Sequence, residues 1–333
     1  PAALRRTRYR WLGRRFKPDV ALLWNRLDQQ ARVIDALGVR RCLYWEHGSA
    51  WLHGDDQARA NVLARLPAII CNSHAAKRML QLRWGYEGAV RVCPNGMRNR
   101  HTVKEFKQLP RDRALHIGVA GRLVPVKATC LALHTLAALH RRGIKASMSI
   151  AGDGPLRAEL EQLARSLNIA THVRFLGVVK DMALFFSEID LLLHPALREP
   201  FGVVVAEAGA MGCPVVCTAI DGLPEVVAHD QTGLCVTPTA DLARYRELGG
   251  SSDGLPAAVY MPVHDTIDTP RVCEPQELAA AIESVTVDAE RFSAMSHAAM
   301  VRVKQRFDFD SHVDDVMDAV KEYHATGTLE PRQ

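Results

Sequence analysis

Glu199 and Glu207 stand eight residues apart in Arg198-Glu199-Pro200-Phe201-Gly202-Val203-Val204-Val205-Ala206-Glu207, at the head of an apolar stretch. A carboxylate accepts hydrogen bonds and donates none, and one held among Val and Ala without a partner is costly to bury. Something must therefore hydrogen-bond Glu207, and the adjacent hydroxyls of a ribose would suit it. Glu199 sits just ahead of it, in a loop before a glycine. The N–H groups of Gly202, Val203 and Val204 would be free at the start of the helix, where unpaired donors and the helix dipole both favour a phosphate.

Three further motifs precede this pair: Ala120-Gly121-Arg122-Leu123 with Lys127 five residues after Arg122, Ala151-Gly152-Asp153-Gly154-Pro155, and Phe175-Leu176-Gly177. With them the chain resembles glycosyltransferase family 4 (group 1), retaining enzymes of the GT-B fold. The resemblance implies an α/β protein of two Rossmann-like, doubly wound domains facing a cleft. It implies Arg122 and Lys127 on the diphosphate of a nucleotide-sugar donor, Glu199 at the donor sugar and Glu207 on the ribose. Backbone around Val179, with Asp181, would meet the base, and Gly121 and Phe201 join the donor-binding set. His47, in Trp45-Glu46-His47-Gly48, would lie over the sugar from the opposite wall.

The charge chemistry agrees. As the anomeric carbon departs from a diphosphate, negative charge grows on the leaving oxygens. Arg grips phosphate in a forked geometry and Lys acts as a mobile point charge. No Asp-x-Asp occurs in this region, so transfer without metal is expected, with no cofactor beyond the donor itself, a UDP-sugar or GDP-sugar. Structural readings stay open beside these roles. Buried carboxylates can pair with Arg, cations after strands can be surface groups, and His47 can be a capping or core histidine. The Gly152–Pro155 cluster reads as a strand-to-helix turn before a ligand contact, Asn95-Gly96 as a turn, and Asp190 and His194-Pro195 as the support and end of a strand.

The elements needed to position these residues are legible as short apolar runs alternating with amphipathic stretches, the pattern of βαβ units and a parallel sheet. In the second half, strands are expected at His116–Ala120, Ser147–Ala151, Val173–Leu176, Leu191–His194 and Val215–Thr218. Helices are expected at Ala128–His140, Leu156–Leu167, Met182–Ser187 and Val203–Met211. Arg122, Gly152, Gly177, Glu199 and Gly202 all follow strands, as a doubly wound site requires. The first half has strands near Asp19–Trp24, Cys42–Glu46, Ala68–Cys71 and Val90–Cys93, and reads as an incomplete domain, lacking the glycine-rich opening loop that the resemblance leads one to expect. The expected organisation is a partial acceptor-side domain over 1–97, a linker over 98–114 and a nucleotide-sugar domain over 115–309 with a long loop at 238–273. A last helix, within 310–333, would cross back to the first domain. Helices at Asp288–Arg306 and Asp310–Thr326 look amphipathic.

Composition sets the outer bounds. A chain of 333 residues, 48% apolar, has ample core for two domains. Its formal charge of +5 is concentrated: residues 1–17 carry seven Arg or Lys and no acid, leaving the rest close to neutral. That gives nucleic-acid binding little support. The segment with Arg5, Arg6, Arg8, Tyr9, Arg10, Trp11, Arg14, Arg15 and Phe16 suits either a solvated helix face or an anionic membrane surface. The eight cysteines form no CxxC pair and read as buried free thiols of a reducing compartment. No apolar run reaches the roughly 20 residues of a spanning helix. The expectation is a cytoplasmic retaining hexosyltransferase, at most peripheral on the inner membrane face, acting on a glycan or glycolipid acceptor of bacterial envelope polysaccharide or lipopolysaccharide. The alternatives are a non-catalytic nucleotide-sugar-binding scaffold and another GT-B enzyme such as an epimerase.

Overall fold

A computed structural model describes residues 2–98 and 105–330, with side chains from residue 7 onward. Ten short strands build two parallel sheets. The first sheet has β1 (Ala21–Trp24), β2 (Cys42–Glu46), β3 (Ala68–Cys71) and β4 (Ala89–Val92), in that spatial order. The second has β5 (Leu115–Ala120), β6 (Ala146–Ala151), β7 (Val173–Gly177), β8 (Leu191–His194), β9 (Val215–Thr218) and β10 (Gly233–Val236), in the order β10-β9-β8-β5-β6-β7. This is the doubly wound order of a dinucleotide-binding sheet, with its topological switch point between β5 and β8.

Strands β3, β8 and β9 are buried at every residue, as sheets covered on both faces require. The helix Thr129–Arg141 is enclosed between the second sheet and the helix Pro275–Thr286, which explains its nearly unbroken apolar sequence. Most element ends fall within a residue or two of the sequence expectation, β1 beginning at Ala21 rather than Asp19. Of the expected linker, residues 99–104 lie outside the described residues.

Residues 238–273, expected as a loop, are structured instead. They contain a helix at Leu242–Glu247 and an antiparallel hairpin, β11 (Val259–Met261) and β12 (Thr266–Asp268), which packs on the first domain's helix His74–Trp84. Three-residue strands in a Gly- and Ser-rich stretch offer too few alternations to be read from sequence.

The chain crosses between the domains twice at one place. Met97 N–H donates to Phe307 O at 2.6 Å. After this crossing Asp308 caps the helix Phe309–Thr326, whose Val316, Ala319 and Tyr323 pack on Leu43, Ala68 and Ile70 of the first sheet. The Tyr323 hydroxyl donates to Cys42 O at 3.0 Å. Arg91, almost wholly buried on β4, is ion-paired with Glu322 of the same helix. All eight cysteines are free thiols, seven of them buried. Among the described residues, no helix is long and apolar enough to cross a membrane.

Candidate active site

Two loops leave the second sheet at its switch point. The loop after β5 carries Gly121, Arg122 and the short turn Pro125–Lys127; the loop after β8 carries Arg198 and Glu199. They meet through side chains: Lys127 Nζ is ion-paired with a Glu199 oxygen, which His194 Nε2 also approaches at 3.1 Å. Burial would raise the Glu199 carboxyl, but the His194 hydrogen bond and the Lys127 charge together bring it down to about 2. Burial pushes His194 down against the opposing pull of Glu199, and its Nε2 faces the carboxylate as a donor.

The loop after β6 acts as a brace. Leu123 N–H donates to Asp153 O at 2.9 Å, and Leu156 N–H donates to Leu123 O at 3.2 Å. The Gly152–Pro155 turn therefore supports the Arg122 loop from behind.

A cavity of about 650 Å³ lies over these loops and between the domains. Its second-domain wall includes Gly121, Lys127, Arg198, Glu199, Phe201, Gly202, Val203, Val204 and Glu207; its first-domain wall includes Asn25, His47, Gly48, Asn72 and Asn95. A second cavity of about 590 Å³, lined by Lys180, Asp181 and Met182 among others, shares Val203 and Glu207 with it. Glu207 thus borders both cavities of the cleft. Glu207 has no hydrogen-bond partner among the described residues, and burial raises its pKa. Gly202, at φ 102, is the N-cap of the helix Val203–Ala210, a left-handed conformation that favours glycine.

His47 faces this cleft from the loop after β2. Its ring lies 4.5 Å from that of Trp45, centroid to centroid. It is open to the cleft, yet desolvation by the surrounding walls and the nearby His312 push its pKa down to about 4. Beneath it, the buried Glu46 carboxylate accepts from Gly48 N–H at 2.5 Å and Ala50 N–H at 3.2 Å, fixing the loop. A Cβ built on Gly48 would stand 2.8 Å from Pro200 Cγ, so the domains touch beside Glu199.

His47, Gly121, Lys127, Glu199, Phe201, Gly202, Val203, Val204 and Glu207 thus surround one cavity, and Asp181 lines the adjoining one. Three expected site residues sit differently. Arg122 is exposed and lines neither cavity. Val179 also lines neither; it packs against the core. Asp181 spends its carboxylate on the Leu184 N–H, at 3.0 Å, as a helix cap.

The structure adds three residues. His194, read as a strand end, touches Glu199. Arg198 lines the cavity with a buried Nε that has no partner among the described residues. Asn72, 3% exposed, lines it with an unpartnered Oδ1. The only sequence signal for Asn72 was a polar residue directly after an apolar strand.

Residues 101–247 match the family model described as glycosyl transferases group 1. The lipopolysaccharide core biosynthesis glycosyltransferase LpsE of Rhizobium meliloti is 29% identical over 231 residues, 68% of this chain and 63% of that protein. The N-acetyl-alpha-D-glucosaminyl L-malate synthase of Bacillus anthracis is 39% identical over 93 residues, 28% of this chain and 24% of that protein. The chain therefore spans less than two thirds of the length of these curated relatives. Among solved structures, Anabaena HepE in complex with UDP superimposes with a TM-score of 0.71 at 20% identity, covering 92% of this chain and 80% of that one. A glycosyltransferase from Rickettsia africae gives 0.73 at 14% identity, covering 96% and 81%. Residues 101–247 are thereby similar to the glycosyl transferases group 1, and the described chain has the GT-B fold.

Proposed function

We propose that the chain is a retaining glycosyltransferase that moves a hexose-type sugar from a nucleoside diphosphate sugar to an acceptor hydroxyl. The observation that carries this reading is the Glu207 carboxylate, without a partner among the described residues, lining one cavity with the Lys127–Glu199 ion pair at the switch point. Ribose hydroxyls would satisfy Glu207. Lys127, with Arg198 beside it, would face the diphosphate, and Arg122 could swing in from the exposed loop. As the anomeric C–O bond to the diphosphate breaks, these cations stabilise the departing charge, without a metal ion. The acceptor oxygen bonds to the anomeric carbon from the same face, and its proton passes to the leaving phosphate oxygen. Neutral His47 would hydrogen-bond the sugar or the leaving phosphate from above.

Asn72 supports a hydroxyl acceptor on the first-domain side. A hydroxyl both donates and accepts, so it satisfies a buried amide in either orientation of its O and N. The match to LpsE and the UDP in the HepE structure favour a UDP-sugar and an envelope glycan or glycolipid. The helix Ala2–Phe16, with Trp11 and Phe16 exposed among Arg8, Arg10, Arg14 and Arg15, would bring the cleft to anionic lipid.

Calorimetry against UDP, GDP, ADP and dTDP, each with and without magnesium, tests this reading. Base-selective, magnesium-independent binding is expected. Binding of none of them would sink it.

A further inference from the structure

Asp221 sits where three parts of the chain meet. It follows β9, is 1% exposed and holds φ 45, an uncommon conformation for a residue with a Cβ. Its Oδ1 accepts from Trp51 Nε1 at 2.9 Å and from Tyr260 N–H at 2.8 Å; its Oδ2 accepts from Glu199 N–H at 2.9 Å. Asp221 N–H in turn donates to Tyr260 O at 3.0 Å, and Gly222 N–H to Glu199 O at 3.1 Å. Trp51 belongs to the first domain, Tyr260 to the β11–β12 hairpin and Glu199 to the switch-point loop. Three N–H groups, two buried and one partly buried, share this one carboxylate as acceptor.

The hairpin is fastened to the first domain independently. Arg78, on the helix His74–Trp84, binds Asp265 with two hydrogen bonds of 2.7 Å, and the Tyr260 hydroxyl donates to the same carboxylate at 2.8 Å. His53 Nε2 lies 2.6 Å from Leu255 O. Glu225, just past Asp221, accepts from His74 N–H at 2.8 Å and Ala75 N–H at 2.7 Å, covering the start of that first-domain helix. The segment expected as a long loop is a strap across the domain boundary, and its inner end lands on the residue that holds the Glu199 backbone.

We infer that Asp221 is a positioning residue for Glu199 and seats it only while the first domain and the hairpin are docked. Asp221 lines neither cavity, so it acts through Glu199 and touches no ligand. The inference rests on the proposed role of Glu199 at the donor sugar. When the domains part, Trp51 leaves the carboxylate, the Glu199 backbone loses a fixed acceptor, and Glu199 loses its register with Lys127 and His194. The site is then assembled only in the closed cleft, where water is excluded from the reacting centre.

Amide hydrogen exchange at residues 198–202 tests this in the intact protein, without a known substrate. Asp221→Asn, Trp51→Phe and Arg78→Ala are compared with wild type, with the helix Pro275–Thr286 as an internal reference. Asp221→Asn should speed exchange at 198–202 roughly tenfold, the scale of one lost buried hydrogen bond. Trp51→Phe and Arg78→Ala, both changes in the other domain, should speed it several-fold while the reference helix stays protected. Arg78 is a partly exposed ion-pair partner, so that variant decides the matter if Trp51→Phe fails to fold. Unchanged exchange at 198–202 in Arg78→Ala, and in any folded Trp51→Phe, overturns the coupling. UDP titration of the same samples separates the two questions: absence of binding sinks the donor reading while exchange still judges the coupling.

Discussion

Lys127 and Glu199 hold each other across the switch point of the second sheet, 72 residues apart in the chain and ion-paired in the fold. Each neutralises the other, and His194 Nε2 approaches the same carboxylate oxygen at 3.1 Å. On the proposed reading, a donor draws Lys127 toward its phosphates while Glu199 turns to a sugar hydroxyl. That exchange keeps the cation available without leaving an unpaired charge in a half-buried site.

Removing the cation exposes its role. Lys127→Ala should weaken UDP binding by roughly 1.5–3 kcal/mol, the range of a hydrogen bond to a charged group. Calorimetry reads the loss directly. Wild-type affinity in the variant would remove Lys127 from the diphosphate.

Glu207→Ala should act on the ribose alone. Its affinity for UDP should fall about tenfold, as for one lost hydrogen bond of about 1.4 kcal/mol, while affinity for inorganic pyrophosphate stays unchanged. The melting temperature should hold or rise, because the change deletes a desolvated carboxylate that has no partner among the described residues. A parallel loss of pyrophosphate binding would place Glu207 elsewhere.

The domain contact beside the site should be intolerant of a single methyl. Gly48 holds φ 120 and faces Pro200, so Gly48→Ala combines backbone strain with an interdomain clash. Destabilisation of about 1–3 kcal/mol is expected from the strain alone. Small-angle scattering should show a more open molecule, and a compact, equally stable variant would contradict the packing described.

His47 predicts a pH effect of definite sign. Its folded pKa of about 4 lies below its ordinary 6.5, so its contribution to stability is fully present above 6.5 and lost as pH falls through that interval. Asp221 and Glu225, both raised to about 7, work in the opposite sense, favouring the folded state as pH falls below 7. The readout is therefore a difference. The stability of wild type relative to His47→Gln should decline between pH 7.5 and pH 4.5 in urea melts. A difference that stays flat would mean the ring titrates as it does in the unfolded chain.

The sequence by itself determined the local elements and the order of the site loops. Buried parallel strands must be apolar on both faces, so runs such as Leu191–His194 and Val215–Thr218 announce themselves. The residues ending those strands fall at the carboxyl edge of the sheet, where ligands bind. Glu207 was legible because a carboxylate in an apolar helix contradicts its neighbours. What the tertiary structure alone decided were the pairings between distant residues. Asp221 meets Trp51 across 170 positions, and its third donor lies in a hairpin too short to carry a periodic signal. The resemblance implies Arg122 on a diphosphate, and its side chain lies outside both cavities, since spacing fixes the loop a side chain leaves from and not where its long flexible end comes to rest. Hydrophobic periodicity encodes which face of each element is buried; which polar groups then share that buried space depends on how two domains and a strap pack together, and no local pattern records it.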